Sequence, residues 1–294
     1  MSCADHQRLF AEHRSRLLGI AYRMLGSLAD AEDTVQDTWT RWERAELDRV
    51  GNIDAYLTRA VANTALNRLR AARVERERYE GPWLPEPVVT EPGPEERAEM
   101  DDAVSLAMLV VLETLSPLER AAFVLHDVFG YSHDDVAGIV DRSPAAVRQL
   151  VHRAREHVRS RRPRFAGSGA ERRRATEAFL TACRSGAVEP LLALLAPDVA
   201  LWTDGGGKVP AARRPIHGPA AVARFLLGVV DRAPAQLEVT LVDLNGAPGF
   251  VATAAGRAVV AGQVETAGGL VSEVRLVANP DKLRLLDTGT RALR

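Results

Sequence analysis

The sequence predicts a multidomain protein with two all-α helical domains, the second carrying a helix-turn-helix, followed by an α+β domain. Three observations predict this fold class. Apolar residues recur at helical spacing through roughly the first 160 residues. A strongly basic helix that follows a short turn closes this helical part. After about residue 236, four strand-like segments are separated by glycine-containing turns, which favour β-hairpins.

Composition limits the possible classes of protein. The chain has 294 residues, 46% of them hydrophobic, and a net charge of −1, enough for two or three packed domains. No apolar run reaches the ~18–20 residues that span a membrane, and the N-terminus is too polar for a secretory signal. We therefore expect a cytoplasmic protein with no membrane partner. Cys3 and Cys183 are expected to be free thiols, and we expect no metal site and no cofactor.

Three helices are predicted in the first part of the chain, at residues 5–25, 28–44 and 52–80. The second helix begins with several carboxylates, which either stabilise its N-terminus or form an acidic docking face. Along the third helix, Arg and Asn side chains share one face. Such a face suits base edges and phosphates, although it also suits plain solvent.

The segment 81–100 is a proline-rich, acidic linker with one unusual run, Trp83-Leu84-Pro85-Glu86-Pro87. A Trp–Leu pair is costly to expose to water, and prolines on either side reduce the entropy lost on docking. This run predicts a peptide that docks in a groove of another domain. The alternative is a tryptophan packed against its nearest neighbour.

After the linker we predict helices at 101–115 and 117–129, followed by a helix-turn-helix. Ser143 is a good N-cap, and Pro144 suits the first helical position. The predicted apolar stripe of the second helix is Val147, Val151, Ala154 and Val158. This pattern is typical of a recognition helix that enters the major groove. The alternative is a pair of surface helices with a solvated arginine face.

Residues 165–170, FAGSGA, are mostly small and predict a hinge, after which the composition changes. We predict helices at 171–185, 188–195 and 218–230 and a strand at 197–203. Four further strands are expected at about 236–244, 249–255, 257–266 and 270–278. Helices followed by a curved antiparallel sheet indicate an α+β domain.

Several motifs carry a resemblance to a known family. The run Asp30–Trp39 resembles the polymerase-clamp-binding helix of extracytoplasmic-function (ECF) sigma factors. Tyr56–Asn63 with Asn67–Arg70 resembles their helix for the melted −10 element, although the family often has Asp where this chain has Asn67. The segment from Leu115 to Arg155 is similar to their second domain, which recognises the −35 element. Together these segments cover about the first 160 residues.

The remainder resembles a SnoaL-like domain, a cone-shaped α+β fold. One subgroup of ECF sigma factors fuses such a domain and carries motifs matched here by WLPEP at 83–87, DGGGK at 204–208 and NPDKL at 279–283. The expected organisation is sigma region 2 at 1–80, the linker at 81–100, sigma region 4 at 101–164, the hinge at 165–170 and the SnoaL-like domain at 171–294.

The resemblance implies a factor that directs core RNA polymerase to promoter DNA and helps to melt it. The implied polymerase-binding residues are Asp33, Gln36 and Asp37. The implied DNA-binding residues are Arg59, Asn63, Asn67, Arg70, Arg73, Ser143, Arg148, Gln149, His152 and Arg153. The implied regulatory interdomain residues are Trp83, Leu84, Pro85, Glu86, Pro87, Asp204, Gly205, Gly206, Gly207, Lys208, Asn279, Pro280, Asp281, Lys282 and Leu283.

Two functions compete for the C-terminal domain. It either regulates the sigma factor in cis, through contact with the linker, or acts as a cyclase or isomerase on a small ligand. An enzyme needs a general base such as Asp204 or His217, but Asp204 precedes three glycines and His217 a helix start. We therefore favour regulation and expect no enzyme. A ligand-sensing DNA-binding regulator remains an alternative for the whole chain.

Overall fold

The structure is a computed structural model that describes residues 3–47, 50–76, 78–90, 106–161 and 169–287. The chain divides into two compact units. Unit 1 consists of Met1–Glu77 and Met108–Arg162, and unit 2 consists of Arg78–Ala107 and Pro163–Arg294. Residues 91–105 and most of the predicted hinge, 165–168, lie outside the described residues.

The first part of unit 1 is built from α1 (Cys3–Leu25), α2 (Leu28–Trp42) and α3 (Ile53–Arg76). Gly26, with φ of 72°, ends α1, and the Ser27 side chain then caps α2 by accepting a hydrogen bond from the backbone N–H of Asp30 at 3.2 Å. The three helices pack through apolar stripes at helical spacing. The buried residues of these stripes include Leu17, Ile20, Met24, Ala31, Val35, Trp42, Leu57, Val61, Ala65 and Leu69.

The second part of unit 1 contains α4 (Leu106–Glu113), α5 (Pro117–Phe123), α6 (His133–Val140) and α7 (Pro144–Arg161). Capping boxes start both α5, at Ser116 and Glu119, and α6, at Ser132 and Asp135. The sequence predicts one helix at 117–129, but Val124–Val128 instead forms a π-helical turn. Such turns often mark functional positions.

Unit 2 packs helices against a six-stranded mixed sheet. The helices are α8 (Gly169–Ser185), α9 (Val188–Leu194) and α10 (Pro219–Asp231). The strands are β1 (Leu195–Asp204), β2 (Ile216–His217), β3 (Leu237–Leu244), β4 (Ala247–Ala254), β5 (Arg257–Ala267) and β6 (Leu270–Val277), in the order β2-β1-β6-β5-β4-β3. Strands β1 and β6 are parallel and the other pairs antiparallel.

The core of unit 2 lies between the helices and one face of this sheet. Phe179 on α8, Val222 on α10 and Val274 on β6 are among its buried members. After β6, a short helix α11 (Pro280–Leu283) leads into a 3₁₀ turn, Arg284–Leu286. The predicted fold class, helical domains with a helix-turn-helix followed by an α+β domain, is confirmed.

Two differences from prediction affect residues of the candidate sites. Helix α3 ends at Arg76 and not at residue 80, because Tyr79 is bound into unit 2, where its hydroxyl donates to Asp204. Strand β2 was not predicted, since two residues carry no detectable alternation. His217 lies in this strand, and Gly218 rather than His217 is the N-cap of α10.

Candidate functional site

The turn between α6 and α7 has the geometry of a helix-turn-helix. Asp141 leaves α6 in the left-handed region, with φ of 54°, and the N–H of Arg142 donates to the carbonyl of Ala137 at 3.1 Å. The Ser143 hydroxyl then accepts from the N–H of Ala146 at 3.2 Å, which confirms the predicted cap. The predicted apolar stripe is buried at Val147, Val151, Ala154 and Val158.

The opposite face of α7 is exposed and basic. The predicted DNA contacts on this helix and its cap, Ser143, Arg148, Gln149, His152 and Arg153, are all exposed. Arg153 is also oriented by Glu119, because its Nε donates to Oε1 at 2.9 Å. Burial alone would raise the pKa of Glu119, but hydrogen bonds from Ser116 and Arg153 outweigh it and lower the pKa. Arg155 is held in the same way by Asp127 at 2.7 Å.

A second polar face runs along α3. Arg59, Asn67 and Arg70 are exposed and Asn63 is half-buried. The guanidinium of Arg70 lies 3.4 Å from Oδ1 of Asn67. The backbone of Arg73 continues the same helix, but its side chain lies outside the described residues. This surface presents amide and guanidinium groups, which can bind bases and phosphates.

An acidic surface lies on α2. Asp33, Gln36 and Asp37 are exposed, while Thr34 and Thr38 on the inner side are buried and donate to helix carbonyls. An arginine of α3 pairs with this acidic surface. Arg68 lies 2.7 Å from the carboxylate of Asp37 and 3.6 Å from that of Asp33. The sequence could not predict this pairing, because it depends on how α2 packs against α3.

Within unit 1, the two groups of helices are joined by buried charged side chains that the sequence analysis missed. Arg120 on α5 is 1% exposed. It pairs with Glu113, and its Nε donates to the carbonyl of Arg23 at the end of α1 at 2.9 Å. Arg76 on α3 also pairs with Glu113, and it donates to the carbonyl of Leu25 at 2.7 Å. Removing one member of such a buried group leaves an unpaired charge and is strongly destabilising.

A second polar contact in unit 1 centres on Tyr131, just before α6. Its hydroxyl lies 2.6 Å from the Thr58 hydroxyl and donates to Asp54 at 3.1 Å. The guanidinium of Arg16 lies over its ring, 4.9 Å from the centroid. Burial is the main reason that the pKa of Tyr131 is raised. This contact therefore ties the segment before α6 to α1 and α3.

In unit 2, all three motif segments converge on Asp204, which is fully buried at the end of β1. The carboxylate accepts hydrogen bonds from the Tyr79 hydroxyl at 2.5 Å and the Leu84 N–H at 2.8 Å. It also accepts from the Gly206 N–H at 3.1 Å and from Lys282 Nζ at 2.7 Å. Four donors satisfy both carboxylate oxygens, so Asp204 serves as a structural acceptor rather than an accessible base.

Lys282 is the cation of this cluster. Its Nζ donates to the carbonyl of Leu84 at 2.5 Å and lies 3.9 Å from the centroid of the Trp83 ring, a cation–π contact. Asn279 adds a further link, because its amide donates to the Tyr79 hydroxyl at 2.9 Å. Burial and the bond to Asp204 raise the pKa of Tyr79. We refer to Tyr79, Trp83, Leu84, Asp204, Asn279 and Lys282 as the latch.

The glycines of the DGGGK segment allow this convergence. Gly206 has φ of 60°, and a Cβ there would lie 2.3 Å from the amide nitrogen of Asn279. A Cβ on Gly207 would lie 2.7 Å from the carboxylate of Glu80. Lys208 completes the segment by pairing with Asp281, which lowers the pKa of that carboxyl. The glycines are therefore required by close packing and left-handed backbone and do not indicate a phosphate-binding loop.

The linker continues from the latch along the β3–β4 hairpin. The residues Leu84, Pro85, Glu86, Pro87 and Val88 are buried. The N–H of Asn245 donates to the carbonyl of Val88 at 2.8 Å, and the N–H of Thr90 donates to the carbonyl of Asp243 at 2.9 Å. Backbone pairing of this kind adds a short extended segment to the sheet. Residues 79–90 thus form part of unit 2.

The two side chains weighed as catalytic bases do not meet. His217 is exposed on β2. Asp204 is buried, and its carboxylate is bonded to four donors. A cleft of about 440 Å³ opens beside the latch, lined by residues that include Glu80, Lys208 and Arg213. The sequence analysis missed a different carboxyl, Glu265 on β5, whose pKa burial raises to about 7 although Arg275 lies 3.5 Å away.

The part of the chain that the structure describes lacks two other kinds of feature. Within it, no group of three or more His, Cys, Asp or Glu side chains is arranged to hold a metal ion. Among the same residues, no helix is both long and apolar enough to cross a membrane. Cys183 is buried in α8, and burial raises the pKa of its thiol to about 12.

Comparison with known proteins assigns the helical elements to one class. The model for Sigma-70 region 2 matches residues 9–74, which include α2 and most of α3. The model for region 4 matches residues 105–158, which include the helix-turn-helix. An ECF RNA polymerase sigma factor is 38% identical to this chain over 72% of that factor's length. The chain therefore belongs to the ECF RNA polymerase sigma factors, which direct RNA polymerase to specific promoters.

The relatives include two mycobacterial sigma factors that match about two thirds or more of this chain. The ECF RNA polymerase sigma factor SigJ of Mycobacterium tuberculosis H37Rv is 38% identical over 76% of this chain and 72% of its own. The probable sigma factor SigI of M. tuberculosis CDC 1551 is 35% identical over 64% of this chain and 66% of its own. The crystal structure of M. tuberculosis SigJ matches with a TM-score of 0.73, covering 96% of this chain and 98% of that one.

Proposed function

We propose that this sigma factor contacts core polymerase through the exposed carboxylates of α2 and promoter DNA through the polar faces of α3 and α7. Charge supports this division of roles. Asp33 and Asp37 are exposed acidic groups, suited to a basic partner surface. Arg59 and Arg70 on α3 and Arg148 on α7 are exposed cations, suited to phosphates and base edges. The acidic face on a separate helix argues against a DNA-binding regulator that acts without polymerase.

We further propose that the C-terminal domain regulates this activity in cis through the latch. The observation that carries this proposal is the buried ion pair between Asp204 and Lys282, around which Trp83 and Leu84 of the linker are bound. Because the linker connects α3 to α4, its attachment to unit 2 limits how the two groups of DNA-binding helices can move.

The spacing of the two promoter elements, compared with the size of unit 1, supports a direction for this regulation. The −10 and −35 elements are separated by about 25 base pairs, which is roughly 85 Å at ~3.4 Å per pair. A compact unit of about 130 residues is only roughly 35–40 Å across. The arrangement of unit 1 therefore cannot reach both elements at once, and the helices must separate. A linker released from the latch gives the chain between α3 and α4 more free length, so release favours activity.

In vitro transcription with core polymerase and a cognate promoter tests this regulation. Two variants weaken the latch from opposite sides, Lys282→Ala on α11 and Trp83→Ala on the linker. We expect both to increase promoter-dependent transcript several-fold, because each removes contacts that bind the linker to unit 2. Arg284→Ala is the matched control, since this side chain is 77% exposed and pairs with Asp281 outside the latch.

Trp83→Ala is the decisive variant, because it leaves no buried charge unpaired and unit 2 should remain folded. Circular dichroism would verify the fold of each variant. If the folded Trp83→Ala protein gives the same transcript level as the wild type, or less, the proposed direction of regulation is wrong.

A further inference from the structure

Arg68 occupies a position between the two surfaces proposed to contact polymerase and DNA. It belongs to α3, between Asn67 and Arg70 of the polar face. Its side chain nevertheless points to α2, where Nη2 lies 2.7 Å from Oδ2 of Asp37. The other guanidinium nitrogen, Nη1, lies 3.6 Å from Oδ2 of Asp33. One arginine therefore pairs with both of the carboxylates that we assign to polymerase binding.

Exposure shows that these carboxylates remain open to a partner. The side chains of Asp33 and Asp37 are 72% and 52% exposed, whereas that of Arg68 is 31% exposed. Arg68 approaches the carboxylates from the α3 side and leaves their outer side open to solvent. A basic protein surface arriving from outside would therefore compete with Arg68 for the same two groups.

The energy of the internal pair makes exchange feasible. An exposed salt bridge between long side chains typically contributes no more than about a five-fold factor to an equilibrium constant. Several charges on a partner surface can together contribute more than this single internal pair, and they can also steer association. Arg68 also has an alternative location, because it lies on α3 beside Asn67 and Arg70, which are exposed on the proposed promoter surface.

We propose that Arg68 is a positioning residue that couples polymerase binding to promoter contact. In the free protein it neutralises Asp33 and Asp37. When a basic surface of polymerase takes these carboxylates, the guanidinium is released toward the phosphates of the promoter strand beside Asn67 and Arg70. This inference rests on the proposed polymerase and promoter faces and adds an exchange between them.

The test uses the full chain with Arg68→Ala and measures two quantities. The first is the affinity for core polymerase in the absence of DNA, which should increase about 1.5–5-fold because the internal competitor is lost. The second is promoter binding by the assembled holoenzyme. Promoter binding should weaken. The slope of log K against log salt concentration should also become shallower by about 0.7–0.9, which is the contribution of one phosphate contact.

Arg8→Ala is the charge-matched control, because Arg8 is an exposed arginine on α1 that pairs with Glu12 at 2.9 Å. It should leave both quantities near wild type. An unchanged or lower core affinity of Arg68→Ala would show that Arg68 does not compete for the carboxylates. An unchanged salt dependence of promoter binding would show that it is not transferred to DNA.

The Asp37→Asn variant distinguishes an error in the proposed binding faces from an error in the exchange alone. If the proposed faces are wrong, Asp37→Asn will leave core affinity at the wild-type value. If only the exchange is wrong, Asp37→Asn will weaken core binding, but Arg68→Ala will not strengthen it.

Discussion

Two buried carboxyl groups of unit 2 show how different environments act on similar side chains. Asp204 accepts four hydrogen bonds, one of them from the ammonium of Lys282. Glu265 lies between β-strand neighbours on β5, and its partner Arg275 approaches only to 3.5 Å. Desolvation therefore dominates at Glu265 and raises its pKa to about 7. At Asp204 the four donors satisfy both carboxylate oxygens.

The raised pKa of Glu265 predicts a pH dependence of stability. The folded protein favours the protonated carboxyl, so the associated stability is present below the ordinary pKa of about 4.5 and is lost as pH rises through about 7. Glu265→Gln should remove this loss, so the stability of unit 2 should fall between pH 5 and pH 8 by roughly 2–3 kcal/mol less than in the wild type. Chemical denaturation at pH 5 and pH 8 measures the effect.

The exposed Asp198→Asn variant is the control and should follow the wild type at both pH values. A Glu265→Gln protein that loses as much stability as the wild type between pH 5 and pH 8 would contradict the account of this buried carboxyl.

At the scale of elements, the DGGGK segment is a tight loop whose backbone permits the latch. Gly206→Ala should destabilise unit 2 by at least about 1 kcal/mol, because φ of 60° disfavours a side chain and the new Cβ would collide with Asn279. Thermal unfolding of the full chain measures this. The matched control is Gly228→Ala on α10, where no atom lies within 4 Å of the added Cβ.

Gly228→Ala should be neutral or stabilising by up to ~1 kcal/mol, because alanine favours a helix interior. The account of the loop fails if Gly206→Ala unfolds at the same temperature as the wild type. Since the loop carries Asp204, the same substitution should also raise transcription as the latch variants do.

Elements with local signals could be predicted from the sequence, whereas contacts between distant segments could not. Ser143 with Pro144 specified the start of α7, and the glycine turns specified the hairpins, because caps and turns depend on neighbouring residues. The link from Arg68 to Asp37 and the role of Tyr79 depend on packing across 31 and 125 residues, respectively. Sequence motifs indicated Asp204 and Lys282, but only the fold shows that they are bonded.

Buried charges in unit 1 were missed for the same reason. Arg120 lies in the segment that resembles sigma region 4, where an arginine is ordinarily expected at the surface. In the fold it is almost completely buried and bound to Glu113 and to a carbonyl of α1. No periodicity in the sequence distinguishes this arginine of α5 from the exposed arginines of α7.

At the scale of the whole molecule, the helices of unit 1 must separate before the α3 and α7 faces can reach both promoter elements. The α3 and α7 faces belong to one compact unit in the free protein, whereas the two promoter elements are roughly 85 Å apart. The buried contacts of Arg76 and Arg120 with Glu113 join the helices and must open. The latch controls this opening, in our proposal, because it binds the chain that connects α3 to α4.

A distance between labels on α3 and α7 tests this central claim most directly. Ala71→Cys and His157→Cys place labels at exposed positions in a Cys3→Ser background, while Cys183 is protected by burial. We predict a separation below roughly 40 Å in the free protein and an increase toward ~85 Å with core polymerase and promoter. A separation that stays below roughly 40 Å in an active promoter complex would contradict the account.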